Sequence, residues 1–127
     1  RERRRVGLEQ RRQQTGSACE LQVDANGGWD LATAQAMLEP LERAGVVLLE
    51  QPLAPLLDPH LDTAGFEALH GLCPLPLVAD ESCWQLADLL RLAPHVDGIN
   101  IKLLKSGGLS EALLLAQAAR RLGLGVM

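Results

Sequence analysis

Four charged residues, each closing a short apolar run, constrain this chain more than any other feature. Asp24 ends Leu21-Gln22-Val23-Asp24 and Glu50 ends Val46-Val47-Leu48-Leu49-Glu50. Asp80 ends Leu77-Val78-Ala79-Asp80 and Lys102 ends Ile99-Asn100-Ile101-Lys102. The intervals between them are 26, 30 and 22 residues. Each is about the length of one strand-plus-helix unit in a (β/α)8 barrel of roughly 250 residues. If the runs are parallel strands, the charged side chains converge at the C-terminal rim, where barrel enzymes carry their chemistry. Three acids about one point suit a divalent cation, and a lysine beside them suits a base.

Between these runs lie helical patterns bounded by turn residues, the alternation that marks a parallel α/β sheet. Strands are expected at residues 20–24, 46–50, 76–80 and 98–103, with the start of a fifth at 124–127. Asp30 is placed as the N-cap of a helix with Leu31, Ala34, Leu38 and Leu41 on one face, kinked at Pro40 and ended by Gly45. Residues 53–65, with Pro55, Pro59 and Gly65, read as an irregular loop before a short helix at 66–72. A helix at 84–92 turns Leu86, Leu89 and Leu90 toward the core. A longer one opens at Gly107-Gly108, bears Leu109, Leu113, Ala116 and Ala119, and stops at Gly123. The fold expected is a partial (β/α)8 barrel of about four βα units plus the start of a fifth strand. An open flavodoxin-like sheet is the alternative, and the regular placement of charge at every strand end favours the barrel.

Composition narrows the function. With 47% apolar residues the chain can bury a core, which argues against disorder. The net charge of −4 is unevenly spread, because residues 1–12 hold six Arg against two Glu. The rest is strongly acidic, which argues against a nucleic-acid partner. Residues 1–19 read as an Arg-rich helix or a remnant of a preceding unit, and residues 20–127 as the barrel part. No apolar run reaches the roughly 18 residues of a membrane span, and nothing resembles a signal peptide. Cys19, Cys73 and Cys83 lack metal-ligand spacing and read as buried or incidental thiols. A cytoplasmic location is therefore expected.

Mg²⁺ takes oxygen ligands and keeps water or substrate in its remaining positions. Asp24, Glu50 and Asp80 can supply three such oxygens, and the lack of Cys or His beside them disfavours zinc. Lys102 ends a hydrophobic run, so partial desolvation is expected to lower its pKa toward that of a useful base. Lys105 belongs to the same rim or faces water. Glu81 orients a lysine, completes the metal shell or caps a helix. Gly107-Gly108 cradles an anion at a helix N-terminus or simply makes a turn. His60, His70 and His95 fall in loops or at helix ends and are assigned no chemistry.

Four motifs together resemble a known family. Asp24-Ala25-Asn26-Gly27-Gly28-Trp29, Glu50-Gln51-Pro52-Leu53, Ala79-Asp80-Glu81-Ser82 and Ile99-Asn100-Ile101-Lys102-Leu103-Leu104-Lys105-Ser106-Gly107-Gly108 resemble, in order and spacing, the barrel of the enolase superfamily. More narrowly they look like its muconate-lactonizing subgroup, and the last motif is most similar to dipeptide epimerases of the L-Ala-D/L-Glu type. The resemblance covers about residues 20–127. It implies Mg²⁺ held by Asp24, Glu50 and Asp80, with the substrate carboxylate on the metal. It implies Lys102 as the residue exchanging the proton α to that carboxylate, with Asn26, Glu81 and Lys105 binding substrate or supporting the ligands. A Lys or His base with Mg²⁺ is the known chemistry of this superfamily rather than a deduction from spacing. The physics agrees, because so weakly acidic a proton leaves only when the resulting charge is strongly stabilised.

Members of the family carry a second catalytic lysine, in a Lys-x-Lys motif one strand before the first metal aspartate, and residues 1–19 hold no lysine. The capping domain and the last barrel strands are also not in the sequence. Racemisation needs a base on each face, so the expectation is an incomplete fragment that does not turn over alone. Muconate cycloisomerase is an alternative, as is N-acylamino acid racemase or o-succinylbenzoate synthase. The last pair more often shows Lys-Pro where this chain has Lys102-Leu103. A receiver-like or binding module is the non-enzyme alternative. The partners expected are a small-molecule carboxylate or dipeptide and, to cover exposed strand edges, a second copy in a homo-oligomer.

Overall fold

Five short strands pair side by side in chain order, all parallel: β1 (Leu21–Asp24), β2 (Val46–Glu50), β3 (Leu77–Ala79), β4 (Gly98–Ile99) and β5 (Gly125–Val126). The computed structural model describes Gln13 and residues 19–127, so the reading of the Arg-rich start lies outside the described residues. A flavodoxin-like or receiver sheet places its second strand outside the first. The sequential order seen here excludes both and agrees with the barrel reading. β3 and β4 are buried throughout, as strands covered by helices must be.

The helices are α1 (Leu31–Arg43), α2 (Pro59–His70), α3 (Leu86–Leu92), the single turn α4 (Leu103–Ser106) and α5 (Leu109–Arg121). α1 begins as its sequence dictates, with Asp30 Oδ1 accepting from Thr33 N at 2.7 Å. It buries Ala34, Met37, Leu38 and Leu41, continues through Pro40, and is followed by Gly45 at φ 70. Leu41, Leu49, Phe66, Leu77, Leu89 and Ile99 form the fully buried centre between sheet and helices.

Four boundaries or faces differ from expectation. The loop after β2 is shorter, because α2 starts at Pro59, where Asp58 caps it and a proline at the first turn lacks only an N–H that would be unpaired anyway. Gly65 lies inside α2, where a Cβ would come within 2.9 Å of Leu53 Cδ1. In α3 it is Leu92, not Leu90, that joins Leu89 in the core, and Leu90 is exposed. α5 faces inward with Ala112, Leu115 and Ala119, leaving Leu109 and Leu113 exposed. Gln117, Arg120 and Arg121 cluster on the opposite side of this amphipathic helix, and Leu109 and Leu113 flank Arg120, so the polar residues mark the outward face that the leucine spacing alone misassigned.

β4 also stops earlier. Sheet hydrogen bonds run on from Asn100 N to Ala79 O (2.8 Å) and from Ile101 N to Met127 O (2.9 Å). Lys102 O then accepts from Lys105 N (2.8 Å) and Ser106 N (3.1 Å), which turns the chain into α4.

Candidate active site

The strand ends carry the charged side chains to one rim. Asp24 and Glu50 are direct partners in the β1–β2 register. Asp24 is exposed, and its Oδ1 accepts from Asn26 N at 2.8 Å, which shapes the left-handed turn at Asn26 (φ 47). Glu50 is buried, and its Oε1 accepts from Asn100 Nδ2 at 2.7 Å. Burial raises the Glu50 carboxyl above its ordinary pKa. The Asn100 hydrogen bond opposes that rise, and the charges of Asp24 and Asp80 add to it.

Asp80 is wholly buried and is gripped from two sides, by Lys102 Nζ on Oδ2 and by Lys105 Nζ on Oδ1. Burial would push its pKa up, but the hydrogen bonds and charges of the two lysines outweigh burial and hold it below the ordinary value. Lys105 is largely covered, its side chain 10% exposed. Its ammonium also donates to Asp80 O (2.6 Å), Asn100 O (3.2 Å) and Cys83 O (3.4 Å). The turn of α4 folds that side chain back over the strand ends, which settles the choice between rim and water in favour of the rim.

Lys102 departs from expectation. Its side chain is 48% exposed and its ammonium meets a carboxylate. The Asp80 hydrogen bond therefore raises its pKa, against a smaller opposing effect of desolvation and with help from the charges of Asp80, Glu81 and Glu50. The strand is too short to bury this lysine, and the nearest group is an anion.

Glu81 leaves Oε2 buried without a hydrogen-bond partner among the described residues. It lines a groove of about 450 Å³ with Leu56, Leu57, Trp84 and Arg91. Two further rim residues stand inside the quoted motifs but were assigned no role from the sequence. Asn100 lies two positions before Lys102, so strand alternation puts both on one side, and this spacing could have found it. The one signal for Gln51 was its place in the Glu50-Gln51-Pro52-Leu53 motif. The histidines stay out of the rim, with His70 Nε2 facing Asp97 at 3.5 Å. Burial pushes the Cys83 thiol up to about 11, which makes it a structural thiol and not a nucleophile.

Among the described residues no group of three His, Cys, Asp or Glu side chains is drawn close enough to hold a metal ion. The three carboxylates share one neighbourhood, but Asp80 turns both oxygens to lysines. The donor chemistry nevertheless fits a hard divalent cation. All ligand candidates are oxygen, the buried Glu50 is burdened by neighbouring negative charge, and Glu81 Oε2 is orphaned. Asp24, Glu50 and Asp80 are the residues that could hold it.

The family model described as enolase C-terminal domain-like matches residues 3–127. The hydrophobic dipeptide epimerase of Flavobacteria bacterium (strain MS024-2A) is 45% identical over 107 residues, 84% of this chain and 29% of that protein. The L-Ala-D/L-Glu epimerase of Escherichia coli (strain K12) is 43% identical over 105 residues, 83% of this chain and 30% of that protein. The chain thus spans about 30% of the length of these curated relatives. The crystal structure of a dipeptide epimerase from Enterococcus faecalis V583, complexed with Mg and the dipeptide L-Leu-L-Tyr, superposes with a TM-score of 0.90 at 31% identity, covering 99% of this chain and 35% of that one. The five parallel strands and their helices match a part of the superfamily's barrel domain. On the match of nearly its whole length to the family model, the chain belongs to the enolase C-terminal domain-like family.

Proposed function

We propose that the protein carrying this chain is a metal-dependent isomerase that removes and returns the proton α to a carboxylate, with a dipeptide as substrate. The observation that carries the proposal is the pair of lysines on buried Asp80, beside Glu50 and Asp24 at the same rim. A purely structural ion pair has no need of two further acids at neighbouring strand ends.

In this reading Asp24, Glu50 and Asp80 hold Mg²⁺, the metal in the Enterococcus faecalis complex. When bound, it supplies positive charge for the negative charge that develops on the substrate carboxylate as the proton leaves. The remaining work falls to the chain's own side chains. Lys102 Nζ, half exposed, moves the α-proton on one face. While paired with Asp80 it is an ammonium and donates; once it has given up that proton it accepts. Lys105 holds Asp80 in place, and the Asn100 amide holds Glu50. Asn26 and Glu81 contact the substrate. The opposite face is the task of a base that is neither lysine of this chain. A cytoplasmic location belongs to the same reading, and among the described residues no helix is long and apolar enough to cross a membrane.

The test uses the intact protein in deuterium oxide with Mg²⁺, offered L-Ala-L-Glu and hydrophobic dipeptides. Deuterium should enter at the α-carbon, and EDTA should stop its entry. Lys102→Ala should lower epimerisation by about 10²–10⁴-fold, while one stereoisomer still exchanges its α-proton. Exchange that continues in EDTA overturns the metal's role. Undiminished epimerisation by the Lys102→Ala protein overturns the base assignment.

A further inference from the structure

Gln51 is fully buried, polar, and held in the left-handed backbone region at φ 34. A non-glycine residue there is uncommon, and the strain persists only where the surroundings over-determine it. The surroundings do so here. Gln51 Nε2 donates to Leu53 O (2.8 Å) and Ser82 Oγ (2.9 Å), while Oε1 accepts from Asp80 N (2.8 Å) and Ser82 N (3.3 Å). Both donors and both lone pairs of the amide are therefore used. On the main chain, Gln51 N donates to Val78 O at 2.9 Å and Gln51 O accepts from Gly27 N at 2.7 Å.

These bonds touch every segment that carries a rim carboxylate. Gly27 belongs to the turn that follows Asp24, Gln51 itself follows Glu50, and the amide oxygen takes the backbone N–H of Asp80. The amide is braced from behind. Ser82 Oγ donates to Asp62 Oδ1 at 2.9 Å, and Arg91 Nη1 donates to Asp62 Oδ2 at 2.9 Å. Arg91 Nη2 returns to Ser82 O at 3.1 Å, closing the network on the loop it steadies. Asp62 and Ser82 are both buried. Such a network is stiff when every member is satisfied and costly when one is lost.

We infer that Gln51 is the positioning residue of this rim: its amide, braced by Ser82, Asp62 and Arg91, sets where Asp80 stands relative to Glu50 and Asp24, and through that the affinity for a divalent cation. The inference rests on the proposed metal centre, and Gln51 acts through the Asp80 backbone rather than by contact with the ion.

The test compares Gln51→Ala and Gln51→Gly in the intact protein. Glycine adopts a positive φ without penalty, so Gln51→Gly removes the amide while relieving the backbone. It should lose less thermal stability than Gln51→Ala. The first readout is amide hydrogen exchange in EDTA. The Asp80 and Ser82 amides should exchange about tenfold faster in both variants, while Asn100 N, bonded to Ala79 O, keeps its protection. The second readout is Mn²⁺ binding followed by electron paramagnetic resonance, which should weaken by about 10–100-fold in both variants. Ser82→Ala should weaken it in the same direction and Ser82→Thr, which keeps the hydroxyl, should restore it. Unchanged exchange at Asp80 and Ser82 overturns the inference whatever the metal does. Faster exchange with unchanged Mn²⁺ affinity overturns the link from position to affinity. If the unsubstituted protein binds no Mn²⁺ while the variants exchange faster, the metal centre falls and the affinity half of the inference with it, and the positional half stands.

Discussion

Asp80 carries an ammonium group on each carboxylate oxygen, and only one of those lysines was readable as a partner. Lys102 directly follows Ile99-Asn100-Ile101, so strand logic put it at the rim. Lys105 depends on α4, a turn of four residues with no apolar period to announce it. The direction of the Lys102 shift was not legible either, because it depends on which carboxylate its flexible stem reaches. Glu50 offers the clearest test at this scale. Its folded pKa is raised above 4.5, by burial first, so the folded chain holds that proton more tightly than the unfolded chain. The stability this contributes is present below 4.5 and is lost as pH rises through the folded value. Asp80 runs the other way: lowered below 3.8, it contributes above that value and the contribution is lost as pH falls through its folded pKa. Glu50→Gln keeps the oxygen that accepts from Asn100 and removes the charge. In EDTA the thermal midpoint of the variant should exceed the parent's near neutral pH, and the two should converge in acid. Asp80 is present in both proteins and enters the difference only through its repulsion of Glu50, which acts in the same direction as burial. Added Mg²⁺ should raise the parent's midpoint alone. A variant less stable than its parent at neutral pH in EDTA contradicts the account of Glu50 as a buried charge under repulsion.

At the scale of elements, α2 marks where propensity and capping disagree. Pro59 and Gly65 are poor helix interiors, and that is why residues 53–65 read as a loop. Yet Asp58-Pro59 is also a helix start, with an N-cap carboxylate followed by a residue whose φ is already helical. The structure uses it so, with Asp58 Oδ1 accepting from His60 N at 2.9 Å and Leu61 N at 3.5 Å. Asp58→Ala should lower stability by about 1 kcal/mol, measured by urea unfolding, and protection in the first turn of α2 should fall with it. If the first turn keeps its amide protection, the cap is not what starts the helix. The strands were far more legible than the helices' faces. Each strand is a short apolar run closed by a charge or a turn residue, and pairing in chain order adds no further choice. The face of α5 was missed because the leucines alone were followed: Leu113, Leu114 and Leu115 are consecutive, but Gln117, Arg120 and Arg121 lie opposite Leu115 and mark it as the inward one.

For the molecule as a whole, the question is what a chain of this shape does on its own. Among the described residues β1 pairs with β2 alone and β5 with β4 alone, so each presents an unpaired edge of backbone N–H and C=O groups. Edges of this kind template pairing with another chain unless something covers them. A run of leucines adds to the tendency: Leu103, Leu104, Leu109 and Leu113 are 56%, 99%, 66% and 54% exposed along α4 and α5. Exposed leucines so close along the chain mark an interface or an aggregation hazard where they join into one patch. The isolated 127-residue chain should therefore self-associate at micromolar concentration in sedimentation velocity runs. Replacing Leu104, Leu109 and Leu113 together by Lys should weaken association by about tenfold or more, since burying one leucine contributes about 1.5–3 kcal/mol. If the triple variant associates as tightly as its parent while remaining folded, the strand edges and not the leucines hold the copies together. A clean monomer with a cooperative thermal transition at every concentration would show that the chain covers both features by itself.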